Sequence, residues 1–106
     1  MGKKEVREKF RNDVFKRDKN TCHVCNKKHT DITELDAHHI TDRSLMPNGG
    51  YVKENGITVC KEDCHFKVEQ FHINEGESWE ESLHPDDLYK KINSSKELAI
   101  QKSNEL

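Results

Sequence analysis

Four cysteines and seven histidines are the side chains of this 106-residue sequence best suited to chemistry. The cysteines come in two short pairs, Cys22 with Cys25 and Cys60 with Cys64, and 35 positions separate the pairs. Four thiolates so spaced can close around one tetrahedral ion, the usual geometry of a structural zinc. Two disulfides are the competing use. The histidines include an adjacent pair, His38 and His39, and His65 directly after Cys64. A metal that fastens the second cysteine pair to the first would carry His65 towards that pair. Three converging imidazoles form a candidate second metal site with open positions, the type that catalyses hydrolysis. Glu69, four residues after His65, shares its helix face and serves either as a further ligand or as an orienting group.

The elements that must position these residues follow from the local pattern. Val6, Phe10 and Val14 form a narrow apolar stripe at helical spacing, so residues 1–20 are expected to hold a helix with a basic outer surface. The cysteine knuckle follows, and a strand is expected from Ile32 to Ile40. Met46 to Gly50 reads as a loop, and Ile57 to Val59 as the second strand of a loose hairpin. Cys64, Val68 and Phe71 recur at helical spacing, which predicts a helix over 61–74. Pro85 followed by two acids predicts another helix start, and Ser94 or Ser95 caps a last short helix. The expected fold class is α+β: an N-terminal basic helix (1–20), a metal-stapled core (21–74) and an acidic helical tail (75–106) in one domain. Trp79 is expected to pin that tail to the core. His23, His29, His72 and His84 show no partner pattern and are read as surface or knuckle residues.

Composition bounds the function classes. Only 31% of residues are hydrophobic and 36% are charged. So thin a core calls for a staple, and a structural zinc contributes on the order of 10 kcal/mol to folding. No apolar stretch could serve as a signal peptide or membrane span, so the expected compartment is the reducing cytosol, where paired cysteines favour metal over disulfides. The net charge of −2 conceals a split. Residues 1–20 carry eight basic against four acidic side chains, whereas residues 75–106 carry four against eight. A basic end of this kind suits a polyanion. Lys9, Arg11, Lys16 and Arg17 are the candidate nucleic-acid contacts on the helix. Arg43 is a further candidate, for a phosphate or for a salt bridge to Asp42.

Taken together and in order, "CHVC", "LDAHHI", "NGITVC" and "CHFKVE" resemble the HNH endonucleases, the ββα-metal type of nuclease. "FRNDVFKRD" and "MPNGGYVKENG" resemble the form carried by phages and prophages. The resemblance spans about residues 10–70. It implies a small ββα-metal fold and hydrolysis of DNA phosphodiester bonds, as nicking or double-strand cutting. It further implies His38 and His65 as ligands of a catalytic divalent metal (Mg2+, Mn2+, Ni2+ or Zn2+), with His39 as general base and Asn55 as the middle residue of the name. Asn55 would either ligate the ion or tie the hairpin loop. The chain departs from the family in its Cx3C spacing and in carrying Glu69 where many relatives have a second helix histidine. Family context adds DNA as partner, a phage terminase as a possible second one, a bacterial host cytoplasm, and a monomer or homodimer. A zinc-binding recognition module that does not cut is the alternative. One constraint is already visible: neighbours on a regular strand face opposite ways, so His38 and His39 serve one phosphate only where the strand bends or at its edge.

Overall fold

The computed structural model describes residues 2–106. Four helices and a two-stranded antiparallel sheet make a small α+β fold. Helix α1 (Lys3–Asp18) starts where the Glu5 side chain accepts from the Gly2 N–H at 3.0 Å. It stops where Lys19 and Asn20 both turn left-handed. Phe10 and Val14 are buried as expected, and Phe15 joins them, while Val6 is only half-buried.

The last residue of α1 anchors it. Asp18 is buried, and its carboxylate accepts the Thr58 N–H at 3.0 Å. Arg17 lies alongside in a two-armed pair at 2.7 and 2.8 Å and also donates to the carbonyls of Lys53 and Gly56. A buried carboxylate of this kind survives only when paired and hydrogen-bonded, and this one is both.

Strand β1 (Leu35–His39) pairs with β2 (Gly56–Cys60) in the register Leu35↔Cys60 to His39↔Gly56. The expected strand over Ile32–Ile40 is shorter at both ends. At its start, Asp31 accepts the Thr33 N–H at 2.9 Å and turns residues 32–34 into a 3-10 turn. Such local side-chain bonds compete with the sheet ladder. Alternation then sorts β1. Leu35, Ala37 and His39 face α1; Leu35 packs with Phe10, Val14 and Phe15, and Ala37 lies against this cluster. Asp36 and His38 pair with Val59 and Ile57 and share their face, where a second cluster holds Ile40, Ile57, Val59, Cys64 and Val68.

Helix α2 (Cys64–Ile73) packs its Cys64 and Val68 side against that second face. Three 3-10 turns fill the long connection between the strands. Helices α3 (Pro85–Lys91) and α4 (Lys96–Asn104) follow, capped by His84 and Ser95. They are not an appendage: Leu83, Leu88, Tyr89 and Ala99 belong to the same cluster as Ile40 and Ile57. Trp79 packs on Phe71 and His84 at ring distances of 5.8 and 4.8 Å but stays 46% exposed. It closes a surface aromatic cluster and does not reach the core.

Gly56 opens β2 where α1 crosses it. A methyl there would lie 2.5 Å from Val14 Cγ2 and 2.7 Å from Phe10 Cε1. Gly56→Ala should therefore destabilise the protein by about 1–3 kcal/mol, the usual cost of overpacking. A denaturant midpoint equal to that of the parent would mean that α1 can lift off the hairpin freely.

Candidate metal centre and its surroundings

The knuckle is built by backbone turns. Asn26 adopts a left-handed conformation, and the Cys22 amide donates to the Lys27 carbonyl at 3.0 Å. The Val24 and Cys25 amides both point at the Cys22 sulfur, at 3.4 Å each. The His23 amide donates to Thr58 O at 3.0 Å and docks the knuckle on β2. Cys60 ends β2 and Cys64 begins α2, so all four thiols meet, with every sulfur within 4.8 Å of the others.

The spacing suits a metal ion. Cys25 and Cys60 sulfurs are 3.4 Å apart and all four cysteines are free, whereas a disulfide needs about 2.05 Å. Zinc–sulfur bonds of about 2.3 Å place tetrahedral sulfurs roughly 3.8 Å apart, within the range seen here. The set can hold one metal ion. Burial pushes the Cys22 thiol up, but the Cys25 and Val24 amides outweigh it and bring it down to about 7. Burial and the facing Cys22 push Cys64 up to about 12, and burial with the facing Cys25 raises Cys60 as well. His29, read as a surface or knuckle residue, sits beside the cluster with Nε2 3.4 Å from the Cys60 sulfur and Nδ1 2.9 Å from Glu34.

A second group lies on the α2 face of the hairpin. His38 from β1 and His65 and Glu69 from α2 bring one ligand atom each within 4.8 Å of the others. One carboxylate oxygen, Glu69 Oε1, is shared: His38 Nδ1 lies 3.0 Å from it and His65 Nε2 3.1 Å. Ligand atoms of a tetrahedral ion with bonds of about 2.0–2.1 Å lie roughly 3.4 Å apart, so the spacing suits a metal. Asp36 adds support that the sequence reading missed. Its Oδ2 lies 2.8 Å from His65 Nδ1, which fixes the ring and leaves Nε2 turned to the cluster. Carboxylate–histidine pairs of this form orient metal ligands.

Electrostatics match this geometry. Hydrogen bonds to Asp36 and then Glu69 raise His65 to about 9. His38 and then His65 hold Glu69 well below the ordinary carboxylate range. Burial pushes His38 down, partly opposed by Glu69. His72 was read as a surface residue, yet its ring stacks on His38 at 5.2 Å and its Nε2 donates to the His39 carbonyl at 2.9 Å. Both misses had a visible signal. Asp36 is two residues before His38 on a strand, and His72 is seven after His65 on a helix; each spacing keeps one face.

His39 lies on the other side. Its ring stacks on Phe10 at 4.5 Å and meets the edge of Tyr51 at 4.8 Å, so it faces α1 rather than Glu69. Burial, then the neighbouring His38, push it down to about 4, and Nε2 is buried without a partner. The imidazole is neutral at physiological pH, as a base requires, and stays so well below the pH near 6 that its ordinary pKa would suggest.

Asn55 is fully buried and fully used. Its Oδ1 accepts from the Thr41 amide at 2.9 Å and the Tyr89 hydroxyl at 2.7 Å. Its Nδ2 donates to the carbonyls of Thr41 at 3.1 Å and Gly50 at 3.2 Å. Of the two roles expected for it, tying the loop is the one these four bonds describe. The Arg17 guanidinium is engaged by Asp18 and by two backbone carbonyls. Lys9 is exposed but paired with Asp13 at 2.6 Å. Arg11 and Lys16 are exposed, and Arg43 donates to the Tyr51 hydroxyl at 3.0 Å rather than to Asp42.

Comparison with family models, curated proteins and solved structures gives no significant match. The reading of the site therefore rests on its chemistry.

Two outcomes are expected from this centre. Cys22→Ser or Cys60→Ser should abolish cooperative folding, and purified wild-type protein should carry close to one tightly held metal per chain by elemental analysis. Well-folded protein free of metal would refute the staple. Asn55→Ala should cost about 2–3 kcal/mol, since it strands the buried Thr41 amide and removes one partner of the Tyr89 hydroxyl. Calorimetry that shows no loss would mean that water substitutes for the amide.

Proposed function

We propose that this chain is a metal-dependent endonuclease of the HNH type that hydrolyses DNA phosphodiester bonds, with a structural zinc on Cys22, Cys25, Cys60 and Cys64. The observation that carries the reading is the shared Glu69 oxygen between His38 and His65, with Asp36 behind His65. That is a three-ligand set on a hairpin and a helix, tied together at their junction by the cysteine cluster. Three protein ligands with room for more is the arrangement of catalytic rather than structural sites.

A divalent ion on His38, His65 and Glu69 would supply charge stabilisation to a phosphate oxygen and the leaving oxygen. The chain's own residues do the rest. Asp36 holds His65 in the tautomer that presents Nε2. His72 braces His38 by stacking and fixes the end of β1 through the His39 carbonyl. Asn55 fixes the loop entering β2, opposite the same end of β1. His39, neutral, is the group able to take a proton from water. It faces away from the metal ligands, so a substrate phosphate must lie at the end of β1, where both faces can be reached. Nε2 becomes available when the ring turns or its Tyr51 edge is displaced.

The opposed facing of His38 and His39 also suits a zinc-stapled recognition module that binds nucleic acid or protein without cutting. A supercoiled-plasmid assay across a series of divalent ions separates the two readings. Nicked or linear product that disappears with chelator is expected; intact plasmid with every ion sinks the nuclease. His39→Ala should keep metal affinity and lose about 10²–10⁴-fold in cleavage, the range a positioned base contributes. His65→Ala should instead weaken binding of the second metal, by calorimetric titration, and recover part of its cleavage at high metal. Equal metal affinity in the two variants would show that the ligand and base roles are misassigned.

A further inference from the structure

The cations expected to meet nucleic acid were all placed on α1 and at Arg43, but the fold gathers a set that shares only Lys16 and Arg43 with them. A cleft of about 630 Å³ runs between α1, the 51–54 segment and the end of α4. Its walls include Lys16 from α1, Lys53 from the loop and Lys102 from α4, with Tyr51 at one end. None of these three lysines forms an ion pair among the described residues. The other two basic residues of the cleft are committed, Lys9 to Asp13 and Arg17 to Asp18; Glu54 is the one remaining acidic side chain on its walls, which Leu106 also lines.

Tyr51 joins this cleft to a second cationic feature. Arg7 lies over its ring at 5.9 Å, and Arg43 donates to its hydroxyl at 3.0 Å. The two guanidinium groups come from different elements and also lack a carboxylate partner. The edge of the same Tyr51 ring abuts His39 at 4.8 Å. Five uncommitted cations thus line one path from His39 across Tyr51 to Lys102, on a chain whose net charge is −2. Like charges held together without counter-charge disfavour the free state and favour an anion with regularly repeated charge.

We propose that this path is the seat of the DNA backbone on one side of the cleaved bond: Arg7 and Arg43 take the phosphate nearest His39, and Lys16, Lys53 and Lys102 take the phosphates beyond it. The assignment rests on the nuclease reading for its polarity, not for its charge. Tyr51 is the positioning residue that spreads the two arginines, and Lys102 makes the acidic C-terminal segment part of the binding face. Nothing on the path reads bases, so binding here is indifferent to sequence.

The test is anisotropy with a labelled duplex in chelator over a salt series, so that no cleavage occurs. Lys16→Ala, Lys53→Ala and Lys102→Ala combined should weaken binding about tenfold or more and lower the slope of log affinity against log salt by roughly 2–3, since each phosphate contact releases counterions. Arg7→Ala with Arg43→Ala should lower it by roughly 2. Lys90→Ala with Lys91→Ala, on α3 outside the cleft, removes surface charge as a control and should leave the slope nearly unchanged. The path is overturned if the cleft variant matches the wild type or the control, if the wild type does not bind duplex, or if inorganic polyphosphate competes no differently with the cleft variant than with the wild type. A plasmid that stays intact while the cleft variant still loses duplex binding would remove the nuclease reading and leave the cationic path standing.

Discussion

Closure of two cysteine pairs 35 residues apart is the constraint from which the remaining geometry follows. Cys60 ends β2 and Cys64 starts α2, so gathering their sulfurs with those of the knuckle fixes where α2 begins and how it leaves the sheet. His65 is the next residue, and Glu69 is one turn further on. Their position opposite His38 is thus set by the cysteines more than by the apolar contacts of α2, whose buried side chains are only Cys64 and Val68. So small a contact would not hold a ten-residue helix at one angle.

The two faces of the hairpin divide the labour. On the α2 face, carboxylates surround His65 and raise it; on the α1 face, aromatic rings surround His39 and push it down. One strand carries two adjacent imidazoles on opposite faces, through the ordinary alternation of side chains; burial pushes both down, and on the α2 face Glu69 partly opposes it at His38.

Much of this was legible in the sequence. The knuckle, the hairpin and α2 carried local signals: paired cysteines, an Asn-Gly before a β-branched run, and helical spacing of Cys64 and Val68. Period 2 foretold the opposed facing of His38 and His39, and His38, His65 and Glu69 lie close together, as the spacing suggested. What escaped notice depends on contacts distant along the chain. Arg17 looked like its basic neighbours until the carbonyls of Lys53 and Gly56 came within its reach. Nothing local marks Tyr89 as the partner of Asn55, 34 residues away, or Lys102 as a neighbour of Lys16. The expected strand start failed for the opposite reason: local bonds from Thr33 to Asp31 overrode β-propensity at Ile32 and Thr33.

The Tyr89 hydroxyl, seated against Asn55 and Thr41, has a consequence for what counts as the working unit. By motif, the unit ends near residue 74. By hydrogen bonding it does not, because the loop entering β2 takes one of its four anchors from α3. A fragment cut at the motif boundary would open the interior amide of Asn55 to solvent and release the loop that faces the end of β1. The acidic C-terminal third is thus a structural clasp, and the cooperative unit of this protein reaches through Ser103, whose carbonyl receives the Asn48 side chain from that same loop at 2.9 Å.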